Sequence, residues 1–182
     1  MQKFEKIFGD DVTLCRLNND NREQYLQVYR VASTFSDLYM DSDKLWRTTC
    51  DTIGTDSDTT TRYLIYVRDT KEACGFINYD MEDDMPSIDI AIAPNYRYQG
   101  YGYQAAETLC KYLLSEGQYH AILWHAMARN TASIRIAEKL GGELIEGKDI
   151  FGEALSKIFG KDAFDYKHLP ATRSYLIKQI KE

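Results

Sequence analysis

The stretch that most constrains this chain runs from Ser87 to Gly102 and reads SIDIAIAPNYRYQGYG. An apolar run from Ile88 to Ala93 stops at Pro94. A short polar turn follows, then Arg97-Tyr98-Gln99-Gly100-Tyr101-Gly102, then a helical pattern from Gln104 to Leu114. A strand that ends in a glycine loop and feeds a helix is a device for holding phosphate. The first helical turn leaves backbone N–H groups without intrahelical partners. The helix dipole adds partial positive charge there, and glycine lets a ligand approach the main chain closely. Together these make an anion site.

Three glycine-loop patterns compete for this segment. A P-loop needs Gly-x-x-x-x-Gly-Lys-Ser/Thr, and no Lys-Ser or Lys-Thr follows Gly100 or Gly102. A dinucleotide fingerprint needs Gly-x-Gly-x-x-Gly. Ala105 is tolerable at its third small position, but the preceding strand lies mid-chain. No acidic residue ending a second strand follows about 20 residues on. The third pattern, Arg/Gln-x-x-Gly-x-Gly/Ala, is matched in full by Arg97-x-x-Gly100-x-Gly102.

That pattern resembles the GNAT superfamily of acyl-CoA-dependent N-acyltransferases. A second block supports the resemblance: Asn130-Thr131-Ala132-Ser133-Ile134-Arg135-Ile136-Ala137-Glu138-Lys139-Leu140-Gly141-Gly142, after an apolar strand Ala121–His125. The family pattern here is an Asn opening a helix, a small residue three on, and Glu-Lys-Leu-Gly at the helix end. Physically, Asn130 is a good N-cap and Gly141 suits the left-handed C′ position. The block alone reads equally as a well-capped helix; the two blocks together, in order, favour the family. The wording Ser133-Ile134-Arg135 is similar to the ribosomal-protein N-terminal acetyltransferase-like branch. The resemblance spans about residues 62–147.

The resemblance implies an α/β fold with a central twisted mixed β-sheet flanked by helices. It also implies that the loop amides hold the coenzyme A pyrophosphate and that the preceding strand pairs with the pantetheine arm. Carried over by motif position, the coenzyme A residues are Ile92, Arg97, Tyr98, Gln99, Gly100, Tyr101, Gly102, Tyr103 and Asn130. A backbone N–H near Ile92, with Ile90 beside it, would hold the oxyanion. Arg97 reads as a phosphate partner or as a solvated surface Arg.

The chain departs from the family at two catalytic positions. Where many members carry a Tyr as general acid, this chain has Ala137. Ser133, one helical turn away on the same face, is a substitute or a small packing residue. The related branch often uses a Glu at the start of the central strand, where Ser87 stands beside Pro86. The nearest carboxylate on that strand face is Asp89. It is either an enclosed general base with a raised pKa or a solvent-facing strand residue. The acidic run Asp80-Glu82-Asp83-Asp84 reads as a solvated loop that could attract a cationic acceptor, or as a catalytic cluster. His125 reads as a strand-end residue beside the cleft or as a packed strand histidine.

Bulk properties narrow the function classes. The 182 residues suit one GNAT-like domain over 1–182, and 44% apolar content suits a packed core. No run approaches 18 uncharged apolar residues, so no membrane span is expected. The N-terminus lacks a signal-peptide core, which gives a cytoplasmic expectation. Cys15, Cys50, Cys74 and Cys110 show no CxxC spacing and read as free thiols. The three histidines form no ligand-spaced set, so no metal is expected. A net charge of −6 disfavours nucleic-acid binding and is compatible with a cationic acceptor.

Along the chain, strands are expected at Val12–Leu17, Arg62–Arg68, Ala73–Tyr79, Ile88–Ala93, Ala121–His125, Glu143–Glu146 and Arg173–Ile180. Helices are expected after Asp20, at Asp41–Thr52, after the glycine loop, at Thr131–Leu140 and within Asp149–Gly160. Residues 148–171 form an enlarged connection between the sixth and seventh expected strands. It would wall the acceptor site, or else serve as a surface helix or a homodimer contact. The functional expectation is an acetyl-CoA-dependent N-acetyltransferase acting on a primary amine, a peptide N-terminus or a small amine. Ala137 supports the alternative, a non-catalytic acyl-CoA-binding or sensing module. A nucleotide-binding regulatory protein using the same loop is a third reading.

Overall fold

Among the described residues, runs rich in β-branched and aromatic side chains, such as Thr60–Val67 and Thr172–Ile177, form strands. The computed structural model describes residues 5–32, 60–82, 84–115, 119–145 and 172–180. In chain order the elements are β1 Lys6–Phe8, β2 Val12–Arg16, α1 Arg22–Ala32, β3 Thr60–Val67, β4 Ala73–Glu82 and β5 Met85–Ile92. After a short 3-10 turn, Pro94–Tyr96, come α2 Tyr101–Leu114, β6 Ile122–Met127, α3 Thr131–Lys139, β7 Glu143–Ile145 and β8 Thr172–Ile177.

The described strands form one sheet in the order β1-β2-β3-β4-β5-β6-β8-β7. Every neighbouring pair is antiparallel except β5 and β6. A parallel pair needs a crossover between its strands, and α2 lies within that crossover.

Side-chain alternation assigns the two sheet faces different work. On one face Tyr63, Ile65, Ile77, Tyr79, Ile88 and Trp124 pack with Leu109 and Leu113 of α2 and Ile134 and Ala137 of α3. On the other, Leu64 and Phe76 pack with Tyr25, Val28 and Ala32 of α1, which recur at helical spacing. Each fully buried large apolar side chain contributes about 1.5–3 kcal/mol. The two helical layers hold the central strands rigid from both sides.

Several boundaries differ from the sequence reading, among them the start of α2 at Tyr101 rather than Gln104 and the end of β8 at Ile177 rather than Ile180. The residue preceding α1 is Asn21 rather than Asp20: its carbonyl accepts the first helical bond, from Tyr25 N–H at 2.9 Å. β1 was not expected; its three residues carry too little periodicity to register. The segment Asp80–Met85 is not a loop. β4 continues to Glu82 and β5 starts at Met85, with Asp84 at φ +65° in the turn. β6 extends to Met127, so His125 lies inside a strand rather than at its end. The helices expected at Asp41–Thr52 and Asp149–Gly160, and the 148–171 connection, fall outside the described residues.

Candidate active site

Gly100 takes φ +88° and turns the chain directly into α2. The first intrahelical bond runs from Gln104 N–H to the Gly100 carbonyl at 3.1 Å. The amides of Tyr101, Gly102 and Tyr103 therefore have no acceptor one turn back and face the loop. At Gly102 the constraint is closeness rather than φ. A Cβ there would lie 3.3 Å from Ile92 Cγ1 and 3.5 Å from Ile136 Cδ1, because β5, α2 and α3 converge on it. Tyr98 holds φ +62° with its side chain fully exposed, a backbone geometry often kept at ligand clamps.

Side chains hold this loop in place. Gln99 Nε2 donates to the Asn95 carbonyl at 2.9 Å. Asp11 N–H donates to Gln104 Oε1 at 3.0 Å, and Gln104 Nε2 donates back to Asp11 Oδ2 at 2.7 Å. Arg97 Nε donates to the Ile92 carbonyl at 2.9 Å, and its Nη2 to the Ala32 carbonyl at 3.4 Å. The guanidinium thus ties the end of β5 to the end of α1, a bracing role that neither sequence reading of Arg97 contained. Tyr103 donates to Glu107 Oε1 at 3.0 Å, and Lys139 Nζ sits 3.6 Å from its ring centroid.

Beside the loop, the sheet divides. β5 and β6 pair only at Ser87–Leu123 and Ile88–Trp124. Ala93 N–H bonds the carbonyl of Cys74, the residue opposite it, at 2.8 Å. Antiparallel alternation then directs the main-chain groups of Asp89 and Ala91 toward β4. Those of Ile90 and Ile92 face the open side. Ile90 N–H also bonds the Asp89 carboxylate, which leaves Ile92 N–H as the donor nearest the loop.

The second block forms α3 with both ends capped. Asn130 Oδ1 accepts from Ser133 N–H at 3.1 Å. At the other end Gly141 has φ +91°, Gly141 N–H bonds Glu138 O, and Gly142 N–H bonds Ala137 O at 2.8 Å. This pair of bonds is the Schellman closure. Ser133 Oγ accepts from Trp124 Nε1 at 3.0 Å. Ala137 is wholly buried.

On the α1 face a polar row crosses the sheet. Arg62, Asn78 and Asp89 stand opposite one another on β3, β4 and β5. Tyr25 donates to Asn78 Oδ1 at 2.7 Å from within the buried face of α1. Thr60 Oγ1 bonds Asp80 Oδ1 in the adjacent row. Asp89 is exposed to solvent along one side, yet its carboxyl is pushed up to about 6, first by surrounding protein and then by Asp80. Arg62, Asn78 and the Ile90 amide work against the rise. His125 follows the last β5–β6 pair on β6; its Nδ1 lies 2.8 Å from Ser174 Oγ and its Nε2 3.2 Å from Glu82 Oε2.

The acetyltransferase (GNAT) domain model matches residues 10–143. The chain belongs to the GNAT acetyltransferase family. Its fold is similar to RimL, a ribosomal L7/L12 alpha-N-protein acetyltransferase solved in complex with coenzyme A. The TM-score is 0.73 at 13% identity, covering 94% of this chain and 97% of that one. It is also similar to a GNAT-family acetyltransferase from Bacillus anthracis, with a TM-score of 0.64, 18% identity and coverage of 94% and 95%. A spermidine N-acetyltransferase chimera, from Vibrio cholerae SpeG and hSSAT, gives 0.64 at 16% identity, covering 93% and 96%. No curated protein matches the chain by sequence.

GNAT membership implies acetyl transfer from acetyl-CoA, and the loop fits that donor: main-chain amides without an acceptor one turn back, a helix N-terminus and a closely packed glycine. The two carbon-copy expectations for proton transfer, Asp89 and Ser133, are not brought together. Ser133 bonds Trp124, whose β5 partner is Ile88, so it lies on the opposite sheet face from Asp89. The residues around Asp89 escaped sequence reading. Asn78 is an amide inside an otherwise apolar strand, which is the signal that could have drawn attention to it. Nothing local links Tyr25 or Ser174 to the site, because 53 and 49 residues separate them from the partners they bond.

Proposed function

We propose that this GNAT member is an acetyl-CoA-dependent N-acetyltransferase acting on a primary amine, a peptide N-terminus or a small amine, by direct attack on the thioester. One juxtaposition carries the reading. Asp89 is the first β5 residue beyond the last β5–β6 pair, on the strand that runs into the anion loop. The loop from Arg97 to Tyr103, with Asn130, is the coenzyme A site, and its main-chain amides meet the phosphates.

Asp89 is the general base. With its carboxyl near 6, it is ionised at neutral pH and still basic enough to take the proton that the amine must shed. Ile92 N–H donates to the carbonyl oxygen as the C–N bond forms. The C–S bond then breaks with its electron pair on sulfur, and Ser133 O–H or water protonates the thiolate. Asp80 beside the base favours a cationic acceptor over an anionic one.

Ala137 favours one other reading, a coenzyme A-binding module without turnover. Thiol release from acetyl-CoA separates the two, using a peptide with a free N-terminal serine, spermidine and free amino acids as acceptors. Release with at least one amine is expected. Tight coenzyme A binding with no release on any of them would favour the module.

A further inference from the structure

We propose that Asn78 and Tyr25 are positioning residues for Asp89: the Tyr25 hydroxyl fixes the Asn78 amide, and that amide in turn holds the Asp89 carboxylate at the split between β5 and β6. The inference rests on the reading of Asp89 as the general base.

The geometry gives the amide one sensible orientation. Tyr25 O–H donates to Asn78 Oδ1 at 2.7 Å, so the Asn78 NH2 group is left to face Asp89, its partner across the β4–β5 ladder. A flipped amide would set its oxygen against a carboxylate and leave the phenol without its acceptor. Tyr25 is fully buried and Asn78 is 6% exposed, so water cannot replace the bond between them, and a lost partner there is costly. Tyr25 is held by its own surroundings: its ring stacks on Tyr29 at 5.9 Å and tilts against Phe76 at 5.8 Å.

The charges facing Asp89 come from every neighbouring element. β4 supplies Asp80, which opposes ionisation, and β3 supplies Arg62, which favours it. Across the split β6 supplies His125, tied to Glu82 of β4. α1 supplies Tyr25 and Tyr29; burial raises the Tyr25 phenol first, then Tyr29 and Asp89 add to the rise. Among these, Asn78 is a neutral donor whose loss removes a bond without adding a charge. α1 therefore acts on the base through one rigid two-bond chain. Any acceptor that displaces α1 would release the Asp89 carboxylate from its held position.

The test needs no acceptor. In the full chain carrying 13Cγ-labelled aspartate, the Asp89 resonance is assigned by its absence in Asp89→Asn and followed through a pH titration. The wild-type midpoint is expected near 6. Asn78→Leu should move it up by about one pH unit, and Tyr25→Phe by about half of that. Tyr25→Phe is the milder change and serves if Asn78→Leu does not fold. Asn78→Ser, which keeps a donor, should return part of the shift. A midpoint unmoved in folded Tyr25→Phe and folded Asn78→Leu would overturn the positioning role. The base reading fails separately: it falls if Asp89→Asn turns over the wild-type amine at the wild-type rate, whatever the titration shows.

Discussion

The glycine loop and the polar row on the α1 face are built from different materials. The loop is main chain: the amides of Tyr101 to Tyr103, the left-handed Gly100 and the crowded Gly102. The row is side chain: Arg62, Asn78 and Asp89 from three strands, fixed by Tyr25 from a helix. A site made of amides does not titrate and changes only when the backbone is disturbed. A site made of carboxylates and amide side chains titrates, and each member can be replaced without moving the backbone. The two regions should therefore fail in different ways.

The largest break should come from Gly102→Asp. It sets a Cβ 3.3 Å from Ile92 Cγ1 and a negative charge beside a phosphate site. We expect coenzyme A affinity to fall by about 100-fold or more, read by calorimetry on folded protein. Unchanged affinity would contradict the loop assignment.

Asp89→Asn should do the reverse. Coenzyme A affinity is expected to stay within twofold, while kcat falls by about 100-fold. In the wild type the acid limb of kcat/KM should turn near pH 6. Stability follows the same group with a definite sign. A carboxyl whose folded pKa is raised favours the fold while protonated, and that contribution is lost as pH rises from about 3.8 through about 6. Melting temperatures of wild type and Asp89→Asn should be similar near pH 4, separate as pH rises to about 6 and keep a constant gap above that, with the variant higher. Parallel melting curves across that range would place Asp89 in open solvent.

The contrast also explains what the sequence made legible. Arg97, Gly100, Gly102 and Asn130 lie in contiguous motifs because loops and caps are built from neighbours. Asp89 was visible as a charge within an apolar run. Tyr25, Asn78, Glu82 and Ser174 carry no such pattern; strand register and the docking of α1 place them, and both are properties of pairing over distance. The run from Asp80 misled for the same reason: a carboxylate-rich segment looks solvated until a partner strand turns it into β4. Arg97 was legible only in part: its motif position suggested phosphate, while its two bonds to main-chain carbonyls appear only once α1 has docked.

Ser133→Ala sharpens the comparison at the boundary between the regions. The hydroxyl already accepts from Trp124 Nε1, so removing it strands a largely buried indole N–H and should cost about 1–3 kcal/mol of stability. If Ser133 O–H also serves the departing thiolate, kcat should fall by about tenfold. Loss of stability with unchanged kcat would leave water as the proton source.

The smallest effect belongs to Asn130, and two substitutions divide its roles. Asn130→Ala removes the acceptor of Ser133 N–H and should cost about 1 kcal/mol, roughly 2–4 °C in melting temperature for a chain of this size. Asn130→Asp keeps an N-cap oxygen and suits the helix dipole, so its melting temperature should match the wild type. It loses the amide donor and adds a negative charge. If the Asn130 side chain also meets coenzyme A, affinity for that ligand should drop several-fold in Asn130→Asp although the helix end is intact. Equal affinity in wild type and Asn130→Asp would make Asn130 a cap alone and confine coenzyme A recognition to the main-chain loop.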